Sequence, residues 1–295
     1  MYRNTSNPLH LPRLDRSRAS KAPSCVIMGI LNVTPDSFSD GGLYATTRAA
    51  VEHGLALWRD GADIVDIGGE STRPGAGRIS AEDELARVVP AIRELAGLGV
   101  YTSIDTTRAQ VAQAAIDNGA CVVNDVSGGA ADARMAGVIA DADIPFVVMH
   151  RRGLSSDMHA HAHYDDVVGE VVCELRQRVD HLIAAGVRAT QLILDPGLGF
   201  AKNAAQSWEL VDRLDELTSG VLPVLVGASR KSFLRTISGL EHFDAAQLDG
   251  ASASVSALCV SRGASALRVH DVRMTLDALS RPHDTVDHSS IAESL

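Results

Sequence analysis

Short apolar runs alternate along this chain with longer stretches in which apolar residues recur at helical spacing. The runs are rich in Val and Ile, which is typical of buried strands, whereas the longer stretches carry Ala, Leu, Arg and Glu in the pattern of amphipathic helices. The alternation predicts a series of strand and helix units. The predicted strands are 25–33, 63–68, 101–106, 122–126, 145–150, 191–195, 224–228 and 266–270.

A stretch that can form a helix follows each predicted strand. Examples are 47–59, 80–95, 108–118, 165–185 and 207–218. Several of these stretches end in glycine, which adopts the positive φ that commonly closes a helix. The glycines at these ends are Gly61, Gly119, Gly186 and Gly220.

The near-continuous apolar strands indicate a parallel sheet that is buried on both faces. Eight units without a break favour closure into a single-domain α/β fold, the (β/α)8 TIM barrel, over an open doubly wound sheet. The open sheet remains the alternative, although no GxGxxG follows the first strand and no GxxxxGK[ST] is present. The barrel domain is predicted over 25–280. Residues 1–24 and 281–295 are polar without periodicity, which predicts a disordered N-terminal extension and a flexible C-terminal tail.

Composition narrows the class of protein to enzymes that act on small molecules. The formal net charge of −10 argues against nucleic acid as a partner. We expect no membrane span, because the apolar runs are too short, and no export, because the N-terminus has positive charges without the apolar stretch of a signal peptide. The four cysteines are far apart and form no CxxC pair, so we expect buried thiols and a cytoplasmic protein. They are Cys25, Cys121, Cys173 and Cys259.

Polar residues end nearly every predicted strand. In (β/α)8 enzymes the catalytic groups lie at the C-terminal ends of the strands, so these residues would meet at one mouth of the barrel. Each alone could be an ordinary turn residue, but together they predict a binding site. They are Asn32, Asp66, Glu70, Asp105, Asn124, Asp125, His150, Asp195, Ser229, Arg230, Lys231, Arg268, His270 and Asp271.

Two further features place candidate binding residues after the sixth and seventh strands. The chain has only three lysines among its 27 Lys and Arg residues, and Lys202 and Lys231 follow strands six and seven. Ser229 is predicted to cap a short helix that begins at Arg230 or Lys231. The free amides of such a helix would form an anion site at the mouth.

Seven sequence blocks, in this order, resemble the dihydropteroate synthase family. The blocks are MGILNVTPDSFSDGG at 28–42, DIGGESTRPGA at 66–76, SIDTTRAQVA at 103–112, VNDVSGG at 123–129, ILDPGLGFAK at 193–202, GASRKSFL at 227–234 and RVHDV at 268–272. Members of this family join 6-hydroxymethyl-7,8-dihydropterin pyrophosphate to 4-aminobenzoate in folate biosynthesis. The resemblance implies a transferase, inhibition by sulfonamides and a homodimer.

The resemblance also implies roles for particular residues. The pterin and its diphosphate would be bound by Thr72, Asp105, Asn124, Asp195, Lys231, Arg268 and His270. Of these, Asp105, Lys231, Arg268 and His270 would be catalytic. The 4-aminobenzoate would lie among Phe38, Thr72, Arg73, Pro74, Phe200, Arg230 and Ser232. Asn32 would contact Mg²⁺, a hard cation that binds oxygen ligands and phosphates. No chemical role is assigned to Asp66, Glu70 or His150.

Two other functions stay open from the sequence. A pterin-binding methyltransferase would share the pterin carboxylates but would not need the GASRKSF or STRP segments, which are present. A catalytically silent pterin-binding paralogue would be expected to lack Asn32, Arg268 or His270, which are also present.

Overall fold

The computed structural model describes residues 25–34, 42–70, 77–153, 161–236 and 244–281. Within these residues the strands are β1 (Val26–Asn32), β2 (Ile64–Gly68), β3 (Thr102–Asp105), β4 (Ala120–Asp125), β5 (Phe146–Met149), β6 (Leu192–Asp195), β7 (Leu225–Val226) and β8 (Ala266–Val269). The helices are α1 (Gly42–Arg59), α2 (Ala81–Gly97), α3 (Ala109–Asp117), α4 (Met135–Ala142), α5 (Val167–Ala184), α6 (Ala204–Asp212), α7 (Leu214–Thr218), α8 (Ala245–Ser261) and α9 (Val272–Leu279).

The strands form one parallel sheet that closes on itself. Their order is β6-β5-β4-β3-β2-β1-β8-β7, so β6 and β7 lie at its two ends. A parallel bridge between Leu194 and Val224 joins these ends, and the amide of Leu194 donates to the carbonyl of Pro223 at 2.9 Å. The prediction of a (β/α)8 barrel is confirmed.

Successive side chains along each strand point to opposite faces of the sheet, and both sets are apolar. One set of side chains fills the interior of the barrel as a separate cluster, which includes Met28, Ile64 and Val122. Their neighbours, such as Ile27 and Val65, belong to the larger core between sheet and helices. Burial on both faces excludes water from the strands, and it leaves their C-terminal ends as the place for polar groups.

The sixth helical unit differs from its prediction. The stretch 207–218 was expected to form one helix, but α6 starts at Ala204 because Asn203 caps it. Asn203 Oδ1 accepts from the amide of Gln206 at 2.9 Å, and Gln206 Oε1 accepts from the amide of Asn203 at 2.8 Å. Arg213 then leaves helical geometry, with φ −109° and ψ 26°, and separates α6 from α7.

Three of the four glycines expected to close helices have positive φ, namely Gly61, Gly119 and Gly186. The expectation for Gly220 is wrong. Helix α7 ends at Thr218, and its C-cap residue Ser219 has right-handed geometry, with φ −65° and ψ −17°, so no left-handed residue is needed there.

The four cysteines, all within the described residues, are not joined in disulfides, but they are not all buried. Cys25 and Cys259 are buried, Cys121 is partly buried and Cys173 is exposed. Cys173 lies on the outward face of α5, which explains its exposure. No helix in the described part of the chain is long and apolar enough to cross a bilayer. The predicted disordered extension 1–24 lies outside the described residues, as does the predicted flexible tail 281–295 except for Arg281.

Candidate active site

A guanidinium group bridges two carboxylates at the mouth of the barrel. Arg268, on β8, donates from Nε to Asp66 Oδ2 at 2.6 Å and from Nη2 to Asp105 Oδ2 at 2.8 Å. Asn124, at the end of β4, donates to the same oxygen of Asp66 at 3.0 Å. Residues from four strands therefore meet in one hydrogen-bonded group, which brings together three of the predicted site residues.

Asp66 lies at the centre of this group, although the sequence assigned it no chemistry. Its side chain is fully buried, and Asp66 Oδ2 binds both Arg268 and Asn124. Among the described residues, Asp66 Oδ1 is a buried oxygen without a hydrogen-bond partner. An acidic residue inside the apolar run IVDIG is the one sequence signal that could have marked it, because a buried charge needs partners.

Burial changes the protonation of the neighbouring groups. It raises the pKa of Asp105 to about 7, although the charge of Arg268 acts in the opposite direction. It also raises the pKa of Asp195 and lowers the pKa of Lys231 to about 8. Lys231 Nζ lies 3.8 Å from the centre of the Phe200 ring, a cation–π contact. The mouth thus holds one acid, Asp105, and one base, Lys231, whose pKa values lie close to neutral pH, and a second acid, Asp195, whose pKa is also raised.

The loop after β6 is held beside Asp195 by its own backbone. The amide of Gly197 donates to Asp195 Oδ1 at 2.7 Å. Gly197 has φ +65°, and a Cβ there would meet the carbonyl oxygen of His150 at 2.0 Å, so only glycine fits. The sequence placed Lys202 near the mouth. In the structure the Lys202 side chain is buried, its ammonium lies 2.9 Å from His150 Nδ1, and its charge acts on Asp195.

The segment after β7 does not form the predicted capped helix. Arg230 has φ +58°, which lies outside helical geometry, and a 3₁₀ helix begins only at Ser232. Ser229 does not cap it, because its Oγ lies 3.0 Å from His270 Nδ1 and accepts from the amide of His270 at 3.2 Å. The expected helix start and its cap are therefore wrong, and Ser229 instead orients His270.

Arg230 is held by α8. Its guanidinium donates to both oxygens of Asp249, at 2.7 and 2.8 Å, and its amide donates to Ser252 Oγ at 2.9 Å. This fork-to-fork pair explains how the residue keeps a left-handed backbone. Asp249 was not found from the sequence, since nothing local marks it.

Asn32 and His270 were both predicted to lie on the side of the mouth that binds the diphosphate and its metal ion. Asn32 is exposed at the end of β1, and a Cβ on Gly68 would lie 3.9 Å from Asn32 Oδ1, so the glycine leaves space beside that oxygen. Burial lowers the pKa of His270 to about 3, which makes it a neutral imidazole. Within the described residues, no group of three or more His, Cys, Asp or Glu side chains could hold a metal ion.

The remaining predictions divide into three groups. Phe38, Thr72, Arg73 and Pro74 fall in 35–41 and 71–76, which lie outside the described residues. Phe200 is buried against Lys231, whereas Ser232 and Arg230 are exposed. Glu70 has a structural contact, because it accepts at 2.7 Å from Arg108, which also pairs with Glu84 of α2.

Comparison with known proteins identifies the class to which this barrel and mouth belong. The family model of the pterin binding enzymes matches residues 28–270. That span is most of the chain, and it includes all the strand ends described above. The chain belongs to the pterin-binding enzyme family.

Relatives that match nearly the whole length are dihydropteroate synthases. The dihydropteroate synthase of Mycobacterium leprae (strain TN) is 51% identical over 265 residues, which cover 88% of this chain and 93% of that protein. A Xanthomonas albilineans dihydropteroate synthase structure with 4-aminobenzoic acid is 43% identical with a TM-score of 0.80, covering 90% of this chain and 92% of that one. A structure of the Xanthomonas albilineans enzyme with 7,8-dihydropteroate is 38% identical, has a TM-score of 0.78 and covers 93% and 95%.

Proposed function

We propose that this chain condenses 6-hydroxymethyl-7,8-dihydropterin pyrophosphate with 4-aminobenzoate, giving 7,8-dihydropteroate and pyrophosphate. The observation that carries the proposal is the group formed by Arg268, Asp66 and Asp105 at the mouth, beside Asn124. The dihydropteroate synthases that match this chain over most of its length support the same reaction.

The pterin ring would lie against Asp105, Asn124, Asp195 and Lys231. A flat ring that carries amino, ring N–H and carbonyl groups needs acceptors and donors arranged in one slot. The carboxylates of Asp105 and Asp195 accept from the amino and ring N–H groups. The ammonium of Lys231 and the amide of Asn124 donate to the carbonyl and ring nitrogens, which fixes the ring in one orientation.

The diphosphate would extend toward Arg268 and His270, with Thr72 completing this side. Neutral His270 can donate from Nε2, and the guanidinium of Arg268 supplies positive charge for the leaving group. In the reaction the bond from the pterin methylene to the diphosphate oxygen breaks. The amine of 4-aminobenzoate forms the new C–N bond and loses a proton. Charge stabilisation on the leaving group is therefore the main task of these side chains.

Asn32 fits a magnesium contact. Its exposed amide oxygen stands at the mouth beside the space left by Gly68, and Mg²⁺ commonly takes one protein oxygen together with waters and substrate phosphates. When bound, the ion would neutralise charge on the departing pyrophosphate. We expect EDTA to stop pyrophosphate release and added Mg²⁺ to restore it.

The 4-aminobenzoate would lie between Phe200, Arg230 and Ser232 and the two loops that carry Phe38, Thr72, Arg73 and Pro74. Phe200 supplies an aromatic wall, and Ser232 with the amides that follow it can bind the carboxylate. Sulfonamides have a similar ring and amine, so we propose that they compete for this place. A homodimer in the cytoplasm stays a prediction from the sequence.

The test is release of pyrophosphate by the purified protein. We expect release only when both substrates and Mg²⁺ are present, with dihydropteroate formed in equal amount. Absence of pyrophosphate at saturating substrate would contradict the proposal. Transfer of a methyl group from methyltetrahydrofolate would favour the methyltransferase, and pterin binding without turnover would favour the silent paralogue.

A further inference from the structure

A buried lysine holds the loop between β6 and α6, which comprises residues 196–203 and is called here the β6 loop. Lys202 Nζ lies 3.1 Å from the carbonyl oxygen of Gly197, 3.0 Å from that of Phe200 and 2.9 Å from His150 Nδ1. An ammonium has three N–H donors and no acceptor, so these contacts use all of its hydrogens. His150 Nδ1 must then be the acceptor.

The hydrogen bonds continue from Lys202 through His150 to Glu174 on α5. With Nδ1 accepting, the proton of His150 is on Nε2, which donates to Glu174 Oε2 at 3.0 Å. Burial lowers the pKa of His150 to about 4, so the ring is neutral as this pattern requires. The hydrogen bond from His150, followed by that from Arg152, lowers the pKa of Glu174 to about 2. His150 is thereby fixed in one tautomer and one orientation.

The two backbone carbonyls that Lys202 binds belong to residues that shape the mouth. Gly197 donates its amide to Asp195 Oδ1, and Phe200 places its ring against Lys231. Lys202 is buried, and the hydrogen bonds of its ammonium go to the backbone of the β6 loop and to His150. These hydrogen bonds act on the substrate through the position of the loop.

Stability alone does not account for a lysine in this position. Burial disfavours the charged ammonium and lowers the pKa of Lys202 to about 7. Replacement of a whole buried ionic contact, both partners together, by apolar side chains is often neutral or stabilising. A residue whose charged form is disfavoured by burial, yet which forms two directed contacts to the loop and one to His150, fits a role in geometry.

We propose that Lys202, oriented by His150, is a positioning residue that fixes the β6 loop so that Phe200 and Asp195 face their substrates. This inference rests on the proposed function, which assigns Phe200 to 4-aminobenzoate and Asp195 to the pterin. Phe200 depends directly on a Lys202 contact, whereas the pterin is also held from β3, β4 and the segment after β7. Loss of the Lys202 contacts should therefore weaken binding of 4-aminobenzoate more than binding of the pterin.

The experiment compares Lys202→Met with wild type in kinetics, thermal unfolding and backbone amide hydrogen exchange. Methionine keeps the length of the side chain without its hydrogen-bond donors. We expect the KM for 4-aminobenzoate to rise about tenfold, equivalent to about 1.4 kcal/mol, while the KM for the pterin substrate changes by less than about threefold. Exchange in 196–203 should become faster, and the melting temperature should fall only modestly, because methionine leaves the loop carbonyls and His150 Nδ1 without a donor. The control is Glu209→Gln. Glu209 lies on α6 in an exposed ion pair with Arg213, so this variant should match wild type.

A second pair of variants tests the histidine. Asn at position 150 can place its amide oxygen where Nδ1 now accepts, whereas Leu cannot accept at all. His150→Asn should therefore retain a lower KM for 4-aminobenzoate than His150→Leu.

The results separate this role from the reaction itself. If wild type forms no dihydropteroate, the proposed function fails, and amide exchange still decides whether Lys202 holds the loop. If wild type is active, unchanged KM and exchange in Lys202→Met would overturn the positioning role alone. A parallel loss of melting temperature and of every kinetic constant would also overturn it, because that pattern is purely structural.

Discussion

Arg268 Nε donates to Asp66 Oδ2 across 2.6 Å, although 202 positions separate the two residues in the chain. The contact joins β8 to β2 across the barrel mouth. Because Asp66 also accepts from Asn124, one buried carboxylate orients two side chains that are proposed to bind the pterin substrate.

Asp66→Asn should therefore lower kcat/KM for the pterin substrate. Asp66 is not among the residues proposed to bind the 4-aminobenzoate. The amide can still accept from one neighbour, but it removes the charge that fixes Arg268, so we expect a loss of about 10- to 100-fold, the size attributed to misplacement by about 1 Å. Chemical denaturation should show a loss of about 1–3 kcal/mol, typical of a disturbed buried hydrogen bond to a charged group.

The matched control for this change is Asp60→Asn. Asp60 pairs with Arg273 at 2.5 Å on the surface, where an ion pair contributes about 0–1 kcal/mol. Wild-type kinetics in Asp66→Asn, or an equal effect in Asp60→Asn, would show that Asp66 does not orient the site.

Activity should depend on pH with a maximum near neutrality. Asp105 is ionised above its raised pKa of about 7, and Lys231 is charged below its lowered pKa of about 8. As pH falls through the first value the carboxylate acceptor is lost, and as pH rises through the second value the ammonium donor is lost. A profile of kcat/KM for the pterin substrate from about pH 5 to about pH 10 reports these free-enzyme groups. A constant kcat/KM across this range would contradict the assignment.

The barrel could be predicted because its information is local. Each strand is an apolar run, each helix has its own period, and a polar residue where a run stops marks the mouth. Asp105, Asn124 and Arg268 follow from that rule, and the structure brings them into one hydrogen-bonded group. The rule placed Asp66 in the ring as well, but no local pattern reveals its pairing with Arg268, because 202 positions separate the two residues.

The segment after β7 shows where local patterns fail. Ser229 followed by Arg and Lys has the composition of a capped helix start, and no neighbouring residue argues against it. The left-handed conformation of Arg230 depends on Asp249 and Ser252, which lie 19 and 22 positions further along the chain. Such contacts form only after the barrel has closed and α8 has packed, so the sequence alone could not reveal them.

Ser229→Ala should weaken binding of the diphosphate more than binding of the pterin ring. The hydroxyl accepts from the amide of His270 and is free to donate to Nδ1, which leaves the proton of the neutral imidazole on Nε2. Without the hydroxyl the tautomer is no longer fixed, so we expect the KM for the pterin diphosphate to rise by about three- to tenfold, about 0.7–1.4 kcal/mol.

Binding of 7,8-dihydropteroate, which lacks the diphosphate, is the internal comparison for Ser229→Ala and should be unchanged. Ser280→Ala removes an exposed hydroxyl that donates to the carbonyl of Asp277, and it should match wild type. Equal weakening of substrate and dihydropteroate by Ser229→Ala would mean that the hydroxyl supports the site as a whole.

Asp249→Asn should raise the KM for 4-aminobenzoate through Arg230. The carboxylate holds both guanidinium donors, and its loss lets the Arg230 side chain leave the wall of the proposed 4-aminobenzoate site. Arg230→Gly removes the same wall while accepting φ +58° without strain, so the two single variants should show similar increases of about three- to tenfold. Because they act through one side chain, the double variant should be no worse than Arg230→Gly alone. Additive increases in the double variant would show instead that Asp249 acts on the substrate by a separate route.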